Sequence, residues 1–535
     1  MSLSVAILAT TLTLSLVLCV VAAFPARPGR IIDKFGNDVT PPPVVLKEQP
    51  VQTRAHTCCA DLGCYSSGGD FFDLLHRPIN SVPSCSLKDK LKYHLNTRRN
   101  SKVTQILDSY ETSTIDKSNF NPRQKTFIII HGFLDDYRWP WWSATVGELL
   151  AQGDFNVIRL DWSHGNNIPY YQASANVRLV GSHCARFVHH IISEYGVSAD
   201  NVEIVGHSLG AHGAGYAGEA LKKTYGIALG HITGLDPAGP YFTSTKPTVR
   251  LDPTDAKKVI TIVTDGETIL VAAYGSPQPM GHMNFYPNGG SLQPGCSKNI
   301  VNGVITGPTM NTTDWSDLGT VAAIAFDGAA CSHARAPVLY YESINDQDCN
   351  MTSYECSDYD KFLAGECFSC ANGKCANLGF HADTSLISAQ PRNYYTITTA
   401  KSPFCTVPHT FSFKIQPKTK DNDSKKKSAL VFITLFGSLG TRKIRVTRKS
   451  VDLRPGQKYN FFFETPTELG VVHSLYFTWE EQESNLNPGN WFKTHYIWLD
   501  GDVSLTDASE QVTKYSVGVP DGKVQSGKDL LCSRK

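Results

Sequence analysis

One serine, one aspartate and one histidine follow each other in an order that could break an ester bond. Ser208 stands at the centre of Gly206-His207-Ser208-Leu209-Gly210. Before it, Val202 to Val205 reads as a short buried strand, and after it a run rich in Ala and Gly reads as a helix. Strand, sharp turn and helix with serine at the apex form a nucleophile elbow, with glycines where strand and helix pass too close for side chains. The pentapeptide alone also fits an ordinary Gly-rich turn; the flanking elements favour the nucleophile. A hydroxyl attacks only when an imidazole takes its proton and an acid holds that imidazole in one tautomer. Asp236 follows a strand in HITGLDPAGP, where Pro237 stops the strand, while Asp252, Asp255 and Asp265 compete for the role. For the base, His333 lies two residues after Cys331 on a loop that a disulfide can fix, and is preferred to His282 in the turn-rich GHMNFYPNGG. Two amides must hold the oxyanion: that of Leu209, and that of Phe133 in His131-Gly132-Phe133.

The elements that position these residues alternate. Phe127 to Ile130, Val157 to Trp162, the elbow strand, His231 to Leu235 and Lys258 to Val263 read as strands, and Asn176 to Tyr195 reads as a helix. Such alternation predicts an α/β fold with a mostly parallel central sheet, of the α/β-hydrolase type. Beyond a hinge at Phe380 to Arg392 the pattern becomes all-β, with Thr410 to Ile415, Ala429 to Phe436, Tyr459 to Glu464 and Ser474 to Trp479 as strands. The expected domains are 58–392 for the α/β unit and 393–535 for a β-sandwich.

The 535 residues carry a net charge of +1, with 41% hydrophobic and 19% charged residues, which describes a globular chain with no field to attract nucleic acid. Ser4 to Ala23 is an apolar run ending in a small-residue cleavage pattern, so residues 1–23 are expected to be a signal peptide and 24–57 a proline-rich linker or pro-segment. A secreted chain with this many cysteines is expected to form disulfides. In CCADLGCY, Cys58 or Cys59 pairs with Cys64. Around Cys349, Cys356, Cys367, Cys370 and Cys375 a single CxxC spacing argues for disulfides over zinc. Asn311, Asn350 and Asn422 are glycosylation acceptors.

The motifs HGF at 131, DWSHG at 161, NVRLVG at 176, GHSLGAH at 206, GLDPAGP at 234, RLDPTDA at 250, HMNFYPNGG at 282, PGCSKN at 294 and CSHARA at 331 resemble the pancreatic lipase family. The resemblance runs from Cys58 to about Asn393 and more faintly beyond, where the β domain resembles a PLAT sandwich, the family's lipid- and cofactor-binding module. It implies a Ser208, Asp236, His333 triad with Phe133 and Leu209 as oxyanion amides. It also implies a structural Ca²⁺ held by Asp252, Asp255 and the carbonyls of Arg250 and Pro247, the last where the family usually has an acidic residue. Without it, Asp-Pro-Thr-Asp reads as a helix N-cap. The implied disulfides are Cys58–Cys64, Cys296–Cys331, Cys356–Cys367 and Cys370–Cys375. Cys59, Cys85, Cys184 and Cys349 have no assigned partner, and Cys405–Cys532 is a guess.

The function this implies is a secreted lipase that hydrolyses triacylglycerol at a lipid–water interface, with a small protein cofactor on the β domain as a further partner. The alternatives are a phospholipase of the same family and a non-catalytic lipid carrier of the yolk type. The segment 296–331 is expected to be a lid, with Ile300, Val304 and Ile305, then Trp315, Leu318, Ala322 and Ala325, forming an apolar face over the site. Arg442, Lys443, Arg445, Arg448 and Lys449 form a basic cluster that fits either a solvated strand edge or a heparin-like polyanion. Trp491 and Phe492 read as either a lipid-touching tip or ordinary loop packing.

Overall fold

The computed structural model describes residues 55–136, 138–167, 169–267, 273–296, 330–345, 349–418, 426–482 and 495–535. The expected signal peptide, nearly all of the linker, the lid span 297–329, Asn311, Asn422, Trp491 and Phe492 lie outside the described residues.

An 11-stranded sheet carries the first part of the chain. In chain order its strands are β1 Lys92–Asn96, β2 Gln105–Leu107, β3 Thr126–Ile130, β4 Asn156–Asp161, β5 Val202–His207, β6 His231–Leu235, β7 Lys258–Ile262, β8 Met283–Pro287, β9 Thr352–Glu355, β10 Cys375–Asn377 and β11 Arg392–Thr396. Strands β4, β3, β5, β6, β7, β8 and β11 lie side by side and parallel, and the flanking pairs are antiparallel. Every residue of β3 and β5 is buried, as a parallel sheet covered on both faces requires. Ile128 and Ile130 join one core with helices α2 (Tyr170–Tyr195) and α3 (Leu209–Tyr225). Phe127 and Ile129 join the other with α1 (Pro140–Gln152) and α4 (Cys331–Asn345). The period-2 alternation of strand side chains thus feeds two cores from one strand.

The second sheet has 9 strands, all antiparallel, including β12 Val407–Lys414, β13 Lys427–Gly437, β14 Gly440–Arg445, β15 Val451–Leu453, β16 Lys458–Thr465 and β17 Val472–Glu481. On β13, Ala429, Val431, Ile433 and Leu435 point inward in strict alternation. The domain border moves slightly from its expected place: Asn393–Thr396 pairs with β8 in the first sheet, because its tyrosines stack there on Phe285 and Tyr286.

Cys58–Cys64, Cys296–Cys331, Cys356–Cys367 and Cys370–Cys375 are bonded, and two further bridges join Cys59–Cys85 and Cys349–Cys405. The Cys405–Cys532 guess is therefore wrong. Cys532 lies opposite Leu475 on β17, its side chain sealed in the sandwich core, and it and Cys184 are buried free thiols.

Candidate active site

Strand β5 ends at His207 and α3 begins at Leu209, so Ser208 alone makes the turn, with φ 56° and ψ −121°. A side chain at residue 206 would meet the Gly210 carbonyl oxygen at 2.2 Å, and one at 210 would meet that of Ile130 at 2.1 Å. The expected elbow is present, and its strained backbone is held by Ser208 N donating to Leu235 O at 3.0 Å. The Leu209 amide belongs to the first turn of α3, where unsatisfied N–H groups favour negative charge.

Asp236 directly follows β6, is fully buried, and takes a positive φ of 40°. Its Oδ1 accepts from the amides of Thr264 at 2.8 Å and Asp265 at 3.1 Å. Its Oδ2 accepts from His333 Nδ1 at 2.6 Å, which leaves Nε2 of that ring as the proton acceptor. Burial pushes the Asp236 carboxyl up, against the pull of the two amides. Burial also holds His333 below the ordinary imidazole value, so the ring is neutral and able to accept a proton at pH 7. Ser208 and His333 line one cleft with Phe133, Leu134, Trp141, Tyr170 and Pro240. The competing residues have other tasks. His282 Nδ1 accepts the Val259 amide at 3.0 Å, and Asp265 accepts that of Tyr274 at 2.9 Å.

The loop carrying Phe133 runs against Ser208: a Cβ on Gly132 would sit 2.8 Å from Ser208 Cβ. Sequence reasoning missed what holds this loop. Asp135 Oδ2 accepts from Trp142 Nε1 at 3.1 Å and from Gly132 N at 3.4 Å. Asn166 Nδ2 donates to Gly132 O at 2.8 Å and Asp135 O at 2.7 Å, and Asn166 O accepts Leu134 N. His207 packs its ring 4.6 Å from that of His333, edge-on to Trp141. The available signal was position, since Asp135 and Asn166 each stand within three residues of a motif.

Among the described residues two groups of side chains come close enough to share a metal ion: His56, Cys58 and Cys64, and Asp236, Asp265 and His333. The two cysteines of the first are bonded to each other, and the second is the hydrogen-bonded Asp236–His333 pair with its neighbour. The 250–255 turn is different. Asp252 caps Thr254 N, and Asp255 Oδ2 accepts Asp252 N at 2.8 Å, so the N-cap reading holds. Both acids are buried, and burial, then Asp252 and Glu219, push the Asp255 carboxyl well above the ordinary range. Arg250 Nη1 reaches Asp252 Oδ2 at 3.3 Å, and Pro247 O accepts the Arg250 amide at 3.2 Å. Two buried acids on one tight turn, with backbone carbonyls beside them, are the kind of oxygen donors that a hard divalent cation takes.

Asn350 is exposed. Arg442, Lys443 and Arg445 stand exposed on β14, the edge strand of the second sheet, with Arg448 and Lys449 exposed just beyond.

The family profile described as "Lipase" matches residues 55–404. Pancreatic triacylglycerol lipase of Mus musculus is 35% identical over 425 residues, which cover 79% of this chain and 86% of that protein. The Homo sapiens protein of the same name is 34% identical over the same shares. Inactive pancreatic lipase-related protein 1 of Homo sapiens is 33% identical, covering 80% of this chain and 87% of its own length. Similarity at this level spans active and inactive proteins, so the geometry around Ser208 decides which kind this chain resembles.

Proposed function

The chain belongs to the lipase family, and on that premise we propose that it is a secreted carboxylic ester hydrolase acting on triacylglycerol at a lipid–water interface. The observation that carries the catalytic reading is the 2.6 Å bond from His333 to Asp236 beside a serine on a strained elbow. Ser208 Oγ attacks the ester carbonyl carbon while His333 Nε2 takes the hydroxyl proton. The oxyanion lies against the amides of Leu209 and Phe133, each such donor being worth ~10²–10³ in rate. Collapse breaks the ester C–O bond, and the departing alcohol takes the proton from His333. Water then attacks the acyl-Ser208 ester, again through His333, and frees the fatty acid. Asp236 keeps the imidazole in the tautomer this cycle needs.

Six disulfides and an exposed Asn350 acceptor support secretion. Among the described residues no helix is long and apolar enough to cross a membrane. Asp252 and Asp255, with the carbonyls of Arg250 and Pro247, would hold a structural Ca²⁺, whose charge would offset theirs and tie the turn to α3. Loss of thermal stability on chelation, restored by added Ca²⁺ and absent in Asp255→Asn, checks that assignment. The basic strand edge supports docking of a heparin-like polyanion; salt-dependent retention on a heparin column that survives neutralisation of Arg442 and Lys443 would count against it. The resemblance of the second domain to a PLAT sandwich supports a small protein cofactor as a further partner.

The decisive experiment measures hydrolysis of emulsified triacylglycerol and of phospholipid vesicles by wild type and Ser208→Ala. The expected result is turnover of triacylglycerol that falls by ~10⁶-fold in the variant. Preference for the vesicles would make the protein a phospholipase. Undiminished rates in Ser208→Ala would overturn the catalytic reading, and absence of turnover in both proteins would favour the lipid-carrier alternative.

A further inference from the structure

The segment from Phe71 to Ile79 breaks the usual rule for a surface turn. Leu74 and Leu75 are 80% and 76% exposed, Ile79 is 50% and Phe72 is 42%. A polar chain in water gains by burying such side chains, and two adjacent leucines at the apex of one turn are an unusual expense.

The turn is nevertheless built to stay as it is. Asp73 Oδ1 accepts the amides of Leu75 at 2.8 Å and His76 at 2.9 Å, and Arg77 N donates back to Asp73 O. Behind the tip, the Arg77 guanidinium is fully buried. It donates to Phe71 O at 3.1 Å and to Tyr241 O at 2.6 Å, and lies 5.3 Å from the ring centres of Tyr241 and Phe242. Burying a guanidinium is costly unless its donors are satisfied, so this anchor fixes the tip against the 239–242 loop.

That loop is also a wall of the cleft. Pro240 lines it beside Ser208, and Tyr170, another wall residue, donates its hydroxyl to Pro240 O at 3.1 Å. The Tyr241 ring lies 5.8 Å from that of Tyr170, which meets Phe133 at 5.0 Å. Leu134, a further residue of the cleft lining, is 40% exposed. The segment that bears the exposed tip is thus fastened, through Arg77, to Tyr241, the chain neighbour of the wall residue Pro240.

The acids near the tip stay at its base: Asp73 Oδ1 is already held by the amides of Leu75 and His76, and Asp70 pairs with Lys246 at 2.6 Å. The leucines can thus enter an apolar phase with little charge to desolvate. We infer that Phe72, Leu74, Leu75 and Ile79 form a preformed anchor that enters the surface of a neutral or zwitterionic lipid particle and holds the cleft against it. This rests on the proposed function only for the kind of surface; the anchoring itself is independent of turnover.

The test therefore uses the Ser208→Ala protein, in which binding is read without hydrolysis. Partition onto phosphatidylcholine-coated triolein emulsion and onto phosphatidylcholine vesicles is measured with and without Leu74→Ser/Leu75→Ser. Removing two exposed leucines should weaken partition by about tenfold or more. A Leu75→Trp reporter should shift its emission to the blue on adding vesicles and be quenched by brominated phosphatidylcholine. In protein with Ser208 intact, Leu74→Ser/Leu75→Ser should leave turnover of a dissolved short-chain ester within twofold of wild type. Unchanged partition with an unshifted reporter would overturn the anchor. So would a parent that sediments as a dimer and becomes monomeric in Leu74→Ser/Leu75→Ser, which would make the tip a contact between copies. Should triacylglycerol turnover fail while partition still responds, the anchor stands and the substrate assignment falls.

Discussion

The two sheets bury different things. At the carboxyl ends of β5 and β6 the interior holds a serine, an aspartate and two histidines, all buried and all tied to backbone amides, carbonyls or each other. The interior of the second sheet is Phe411, Phe413, Phe461, Phe477, Trp479 and their aliphatic neighbours, and its buried polar residues are threonines and His409. The backbone follows the same division. Leu134, Ser208 and Asp236 take positive φ around the cleft, whereas among the described residues of the second domain Glu510 alone, outside glycine, does so. Strain of that kind survives only where surrounding hydrogen bonds over-determine it. The first region spends packing on chemistry, and the second spends its aromatic area on holding a platform.

Breaking the first region should therefore cost rate, and breaking the second should cost stability. The largest expected effect is that of Asp236→Asn. An amide cannot hold His333 in the same tautomer, so kcat on a dissolved ester should drop by ~10⁴-fold with the fold intact by circular dichroism. A fall under tenfold would mean that another acid serves. Next, Trp479→Ala should remove ~3–5 kcal/mol from the unfolding free energy of the second domain. Turnover of the same dissolved ester should stay at wild-type level; a parallel loss of rate would show that the two regions are not separable. Gly132→Ala would push the Phe133 loop away from Ser208, and kcat should fall by ~10²–10³, the size of one lost oxyanion donor. Equal rates would remove Phe133 from the site.

The smallest effect is on pH. The proposed cycle needs neutral His333, and burial sets its pKa below the ordinary 6.5. The rate constant kcat/KM on a soluble ester should thus stay level as pH falls through 6.5, then decline about tenfold per unit once below the folded value. An acid limb centred above 6.5 would show that the charge of Asp236 outweighs the burial of the pair.

Much of this site was legible because its constraints are local. The elbow needs two glycines within two residues of a serine, and Pro237 marks the strand end at Asp236, although Asp252, Asp255 and Asp265 competed on sequence alone. His333 could be preferred because a cysteine two residues away implied a fixed segment, though the loop expected there is the first turn of α4, since Cys331 is bonded to Cys296 at the helix start. The proposed calcium site was suggested only by resemblance, since Asp252 and Asp255 form the capping turn that the residues alone suggest.

Sequence by itself settled the alternation of strands and helices, the change to period-2 patterning in the second domain, and the strand–Ser208–helix turn. Each of these is written within a few residues, where sterics and hydrogen bonding act at short range. Only the tertiary structure decided what depends on distant segments meeting. It chose Asp236 over Asp265 by bringing β6 to the start of α4, and paired Cys59 with Cys85 and Cys349 with Cys405. It sealed Cys532 in a core, braced Gly132 with Asp135 and Asn166, and seated Arg77 on Tyr241, 164 residues away. The cause is the same throughout. A buried polar group or thiol takes its partner from whatever the packed core brings within a few ångströms, and packing brings together residues that the chain keeps far apart.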